Sequence, residues 1–191
     1  MVGAESQIAT FSLPAPVSTD QVWQWLAEVS DPEIPVVSVT DLGIIRAVEW
    51  HDDADHTPHP PHACKICVVT ITPTYSGCPA MDVIASDIRT TLQAHGIDHV
   101  NIVYQLSPAW NTDWMTETGK KNLRSYGIAP PQQQVINITG IRRHRDVQAA
   151  IICPQCGSAD TQLVSQFGST SCKALYKCKS CLEPFDYFKP H

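Results

Sequence analysis

CVVTITPTYSGCPAMDVIASDIRTTLQAHG, residues 67–96, decides the fold. CVVTIT (67–72) is a β-branched run and predicts a strand. PTYSG is a turn-forming stretch, and Pro79 follows Cys78 where proline commonly opens a helix. Met81, Ile84, Ile88 and Leu92 then recur at helical spacing, and Gly96 closes the helix. Strand, cysteine-bearing loop and amphipathic helix therefore follow one another directly.

The same alternation continues on both sides. Upstream, Ser18-Thr19-Asp20-Gln21 reads as a capping box. Val22, Trp25, Leu26 and Val29 mark the apolar face of that helix, which Pro32 stops near Ser30. DPEIPVVSVTDLG is a turn-rich loop, and IIRAVEW a strand ending near Trp50. Residues 51–63, rich in His and Pro, read as a loop insertion between two hairpin strands. Downstream, His99–Leu106 reads as a third strand. Asn111, Thr112 or Asp113 can cap a further helix running through Leu123, ended by Gly127 and Pro130-Pro131. VINITGI (135–141) reads as a short strand. Mixed strands and helices with a hairpin predict a two-layer α+β sandwich. Trp25 is expected in its core, with Trp110 and Trp114 flanking a loop that offers a binding surface.

Composition narrows the function. In 191 residues, 43% are hydrophobic and 17% charged, the profile of a globular protein. The net charge of −6 and the lack of a basic block disfavour nucleic acid and anionic membranes. From residue 146 onward four lysines balance four acidic residues, so the tail is not a cationic ribbon either. No apolar run is long enough to span a bilayer, and MVGAESQIATFSLPAP lacks signal-peptide features. The expectation is a cytoplasmic protein, whose eight cysteines stay reduced and serve metal or redox chemistry.

Beyond Ile151 the composition changes sharply, which places a domain boundary near residues 142–150. Cys153-Pro-Gln-Cys156 and Cys178-Lys-Ser-Cys181 are two C-x2-C knuckles. Each aims two sulfurs at one point, and together they predict a closed tetrahedral site suited to structural zinc; four thiolates also suit iron. So short a tail cannot hold a sufficient apolar core alone and needs the metal. Cys172, in FGSTSCKALYKC, reads either as a small core residue or as an accessible thiol beside the metal.

Three features lie outside the tail. Cys78 is a plausible helix N-cap, either a buried cap or a thiolate whose pKa the helix dipole lowers. Asp31, Glu33 and Asp41 either cap local turns or bind a cation or partner. Cys64 and Cys67 form a third C-x2-C, but strand alternation aims them at opposite faces, so only a weak site is expected. No catalytic triad, Walker or dinucleotide motif appears, and no histidine adjoins Cys78, so no catalytic residue is assigned and no enzyme is expected.

DPEIPVVSVTDLGIIR, TPTYSGCPAMDVI and SPAWNTDWMTETGKKNLRSYGIAPP resemble the iron–sulfur assembly domain family that includes the bacterial SufT proteins. With the FGSTSCKALYKC tail, the chain resembles more narrowly the PaaD (PaaJ) subunits of phenylacetyl-CoA epoxidase systems. The resemblance covers residues 18–191. It implies a lead-in over 1–17, an α+β assembly domain over 18–145 with an insertion at 51–66, and a zinc-ribbon tail over 146–191. It implies an accessory role in aerobic phenylacetate catabolism, assisting iron or iron–sulfur maturation of the oxygenase or reductase component. A non-catalytic docking component is the alternative. The implied partners are those components and the iron–sulfur assembly machinery, with homo-oligomers left open. The family's functional cysteine falls on Cys78 and its acidic loop on Asp31, Glu33 and Asp41; its tail cysteines fall on Cys153, Cys156, Cys172, Cys178 and Cys181.

Overall fold

Helix α1 (Thr19–Leu26) opens on the expected capping box, in which Ser18 and Gln21 satisfy each other's backbone N–H. The computed structural model describes residues 17–52, 65–75, 77–132 and 150–190. The lead-in up to residue 16, most of the insertion with Cys64, the VINITGI stretch and residues 142–149 lie outside them. Strands β1 (Ile45–Asp52) and β2 (Lys65–Ile71) pair antiparallel as the hairpin. Helix α2 (Met81–Ala94) carries the chain across to β3 (Val100–Tyr104), which pairs parallel with β2. A parallel neighbour requires such a crossover helix. Met81, Ile84, Ile88 and Leu92 are all buried, as their spacing predicts. α1 packs on β1, α2 on β3, and the helices touch each other, giving two layers.

The expected helix after Trp110 is split. Asn111 caps a short 3-10 turn, Thr112–Trp114, and Thr116 then caps α3 (Glu117–Tyr126). Gly127 ends α3 in the left-handed conformation, φ 94°. Directly after it, β4 (Ile128–Ala129) joins a second sheet with β5 (Thr161–Ser165), β6 (Lys173–Cys178) and β7 (Pro184–Phe188). The order is β4-β7-β6-β5, with β4 parallel to β7 and the ribbon strands antiparallel. The short β4 thus ties the first region to the ribbon. Cys172 and Phe188 from the ribbon are buried in the main core, while a smaller cluster around Cys153, Cys178, Phe185 and Tyr187 forms the ribbon's own.

The loop between α1 and β1 is built on apolar anchors. Ile34, Val37, Val39, Leu42 and Ile44 are all buried. Gly43 has φ 68°, and a Cβ there would meet the Trp114 carbonyl oxygen at 2.5 Å, so both conformation and contact require glycine.

Candidate functional site

The two knuckles meet. Among the described residues, Cys153, Cys156, Cys178 and Cys181 are the one group of three or more such donors whose ligand atoms all lie within 4.8 Å of one another. Backbone geometry makes each turn: the residue after each knuckle, Gly157 (φ 74°) or Leu182 (φ 67°), is left-handed. The Ser158 and Ser180 hydroxyls, 2.7 Å apart, link the turns. Cys153 Sγ lies 3.8 Å from Cys181 Sγ, and Cys156 Sγ 3.6 Å from Cys178 Sγ. Four sulfurs at ≈ 2.3 Å from a tetrahedral ion stand about 3.8 Å apart, so the donor set fits a four-thiolate metal. The backbone N–H of Cys181 points at Cys178 Sγ (3.5 Å) and is the main cause that brings the Cys178 thiol down to about 6.

A second cysteine site lies where the ribbon meets the α+β layers. Asp31, Glu33, Thr74, Cys78, Met81 and Cys172 line a cavity of ≈ 10 Å³, whose apolar wall includes Ile34, Ile84 and Phe188. Asp31 Oδ1 accepts the backbone N–H groups of Glu33 (2.9 Å) and Ile34 (2.8 Å), which turns the acidic loop toward the pocket. Cys172, just before β6, has its sulfur 3.0 Å from Thr170 Oγ1. The Tyr75 hydroxyl bonds with Ser171, so the two cysteine loops also touch through their neighbours.

Electrostatics in this pocket run against the helix-cap expectation for Cys78. The cap of α2 is Ala80, not Cys78, and it makes no side-chain cap bond. Burial pushes the Cys78 thiol up; the Ala80 N–H pulls it down, while Glu33, Cys172 and Asp31 add repulsion. Burial raises Cys172 as well, opposed by Thr170 and Lys173 and reinforced by Glu33 and Asp31. Asp31 too is raised by burial, against its two backbone hydrogen bonds and Lys173. These groups resist ionising together, and a bound cation would reverse that. Lys173, which sequence reading passes over, is 5% exposed and sits 3.7 Å from Asp186. Its position beside Cys172 is the available signal.

Other candidates fall elsewhere. Asp41 accepts the Thr116 hydroxyl and, through its carbonyl, the Thr116 N–H at 2.9 Å, which ties the acidic loop to the start of α3. Cys67 is fully buried in β2, and burial pushes its thiol up to about 11, which makes it a core residue. Trp110 is not a surface residue: it is 3% exposed and its indole N–H donates to the Leu42 carbonyl at 2.8 Å. Trp114 is part-buried beneath Arg46, 3.4 Å from its ring centroid. Trp25 is half-buried, packed against the main core and stacked on His95 at 4.3 Å. No helix among the described residues is long and apolar enough to cross a membrane.

An α+β layer pair thus carries a ribbon whose four-cysteine donor set fits a metal. Residues 139–189 match the family of the PaaD zinc beta ribbon domain. The chain is 43% identical over 175 residues to the D-type component of the "Putative 1,2-phenylacetyl-CoA epoxidase" of Escherichia coli (strain K12), covering 92% of this chain and 94% of that protein. The chain belongs to this PaaD family. It is also 36% identical over 99 residues to an "Fe-S protein maturation auxiliary factor" of Porphyromonas gingivalis, covering 51% of this chain and 83% of the relative. Among solved structures, a domain of unknown function, DUF59, from Bacillus anthracis is 24% identical with a TM-score of 0.44, covering 55% of this chain and 89% of that one.

Proposed function

We propose that the chain is a non-catalytic accessory component of a phenylacetyl-CoA epoxidase system that passes iron or an iron–sulfur cluster to a partner subunit through Cys78. The observation that carries the reading is the shared pocket of Cys78, Cys172, Asp31 and Glu33. Cys78 and Cys172 supply soft thiol donors there, and these side chains do not converge as the tetrad does, which suits passing a metal on rather than storing it. The names of the two relatives support the same role. The ribbon tetrad keeps a structural zinc, and its function is to fix the tail over residues 146–191 against the assembly domain at 18–145. The partners are the oxygenase and reductase components and the assembly machinery, and the place is the cytoplasm, where thiols remain reduced.

In cells lacking the native protein, a Cys78→Ala copy should fail to restore epoxidase activity and iron content of the partner, while the purified variant keeps its zinc and its melting temperature. Full activity with Cys78→Ala would sink the reading. A docking role without metal transfer is favoured by one feature, the exposed Leu163, Val164 and Phe167 along the ribbon edge. Stable co-purification with the oxygenase that is lost on Val164→Asp and untouched by Cys78→Ala would select it.

A further inference from the structure

We infer that the groove between α3 and the start of the ribbon docks a short acidic segment of a partner protein. The groove has a volume of ≈ 450 Å³ and shares no lining residue with the Cys78 pocket. It is therefore a surface of its own, and the inference goes beyond the carrier reading above. Helix α3 supplies the charged lining through Lys120, Lys121 and Arg124. The chain just after β4 and Ile152 supply the apolar lining.

Charge argues first. Glu117 is the one acidic residue lining the groove, and it is spent on Lys120, whose ammonium lies 2.9 Å from its carboxylate. Lys121 and Arg124 are exposed and pair with no carboxylate among the described residues. Three residues apart on one helix, they share a face. Arg124 sits in the last turn of α3, where the helix dipole favours a cation, but Lys121 lies a turn earlier and gains little from it. The sequence around them is just as one-sided. Residues 117–146 hold six of the thirteen Lys and Arg of the chain but two of its nineteen Asp and Glu. A net positive stretch thus stands in a chain whose total is −6.

The occupant follows from what the groove offers. Gln132 Nε2 donates to the Ala150 carbonyl at 3.1 Å, so the chain between them leaves and rejoins the structure at this groove. That stretch brings one acid, Asp146, against Arg142, Arg143 and Arg145, so it does not supply the carboxylates that Lys121 and Arg124 lack. Those carboxylates come from a second protein. Pro130 and Pro131 have no N–H to donate, and Ile152 is 40% exposed, so this part of the lining receives apolar side chains. An acidic segment with apolar residues among its charges meets both linings, and complementary charge sets its approach and register. A long polyanion such as nucleic acid fits less well, because the acidic remainder of the chain repels it beyond the groove.

The test is fluorescence anisotropy of the zinc-loaded full chain with a short fluorescein-labelled peptide of Asp and Glu in which every third residue is Leu. Binding is expected, and it should weaken as salt rises from about 0.01 M to about 0.15 M and screening shortens from about 30 Å to about 8 Å. Lys121→Glu and Arg124→Glu should each weaken it about three- to tenfold, and the double variant more than tenfold. Ile152→Ser should weaken it severalfold. Arg89→Glu, which reverses an exposed cation on α2 outside the groove, should bind like wild type, as should Cys78→Ala. Melting temperatures of the zinc forms check each fold. No binding overturns the inference, and so does a loss with Arg89→Glu equal to that with Lys121→Glu. A peptide with Ser in place of Leu that binds as tightly overturns the apolar part of the lining as a recognition element, and with it the inference. Tighter binding of oligothymidylate than of the peptide, lost in the double variant, would assign the groove to nucleic acid instead.

Discussion

Phe188 tests whether the ribbon and the α+β layers act as one unit. It ends β7, is 1% exposed, and belongs to the main core rather than the ribbon's own cluster. Its ring lies 6.0 Å from that of Trp110, and it lines the Cys78 pocket. Its neighbour Lys189 donates a backbone N–H to the Cys172 carbonyl at 2.9 Å, so Phe188 anchors the segment that carries Cys172. Truncating a buried Phe to Ala costs about 3–5 kcal/mol, the transfer term plus the cavity left behind. For a chain of this size that corresponds to a fall of roughly 6–20 °C in melting temperature. The assay is thermal unfolding of the zinc-loaded chain, with zinc content followed in parallel. Phe188→Ala should lower the melting temperature by that amount while zinc stays at one per chain. Phe188→Leu keeps most of the apolar volume and should lie between. If Phe188→Ala melts within about 2 °C of wild type, the ribbon does not dock through this side chain.

The remaining predictions concern single interactions. Trp110→Phe orphans the buried Leu42 carbonyl and should cost about 1–3 kcal/mol by denaturant unfolding, with metal content unchanged. Stripping the tetrad's metal with a strong chelator should lower the melting temperature of the chain, and an unchanged melt would contradict a structural role for the site. Cys67 is raised to about 11, so the unfolded chain loses this proton first; stability should fall by about 3 kcal/mol as pH climbs from about 9 to about 11, and the slope should be shallower in Cys67→Val.

Local grammar makes much of the fold legible. The Ser18–Gln21 box, the Met81–Leu92 stripe and the hairpin around the insertion each rest on side chains a few residues apart, and each appears as the sequence predicts. The tetrad is legible for the same reason, since each C-x2-C turn sets its own geometry. What escapes is non-local. The two residues of β4 carry no periodicity, yet they carry the chain from α3 into the ribbon sheet. Trp110 reads as a loop aromatic because its partner, the Leu42 carbonyl, lies far off in the chain. Cys78 reads as a cap, and the true cap falls two residues later; burial and acidic neighbours then outweigh the backbone N–H of Ala80.

The two sulfur centres make opposite demands on one short strand. The tetrad needs four sulfurs about 3.8 Å apart, held by turns that do not move. The Cys78 pocket instead gathers thiols whose ionisation burial opposes. β6 spans six residues, roughly 20 Å, with Cys178 at one end and Cys172 just beyond the other. A rigid anchor at the first end lets the second be set by packing alone, through Phe188 and the Lys189–Cys172 backbone bond. A ribbon without its metal would loosen only the Cys178 end, while Phe188 packing and the Lys189–Cys172 bond still hold the other. The ribbon's closed site thus steadies the far end of the strand that leads from the Cys78 pocket.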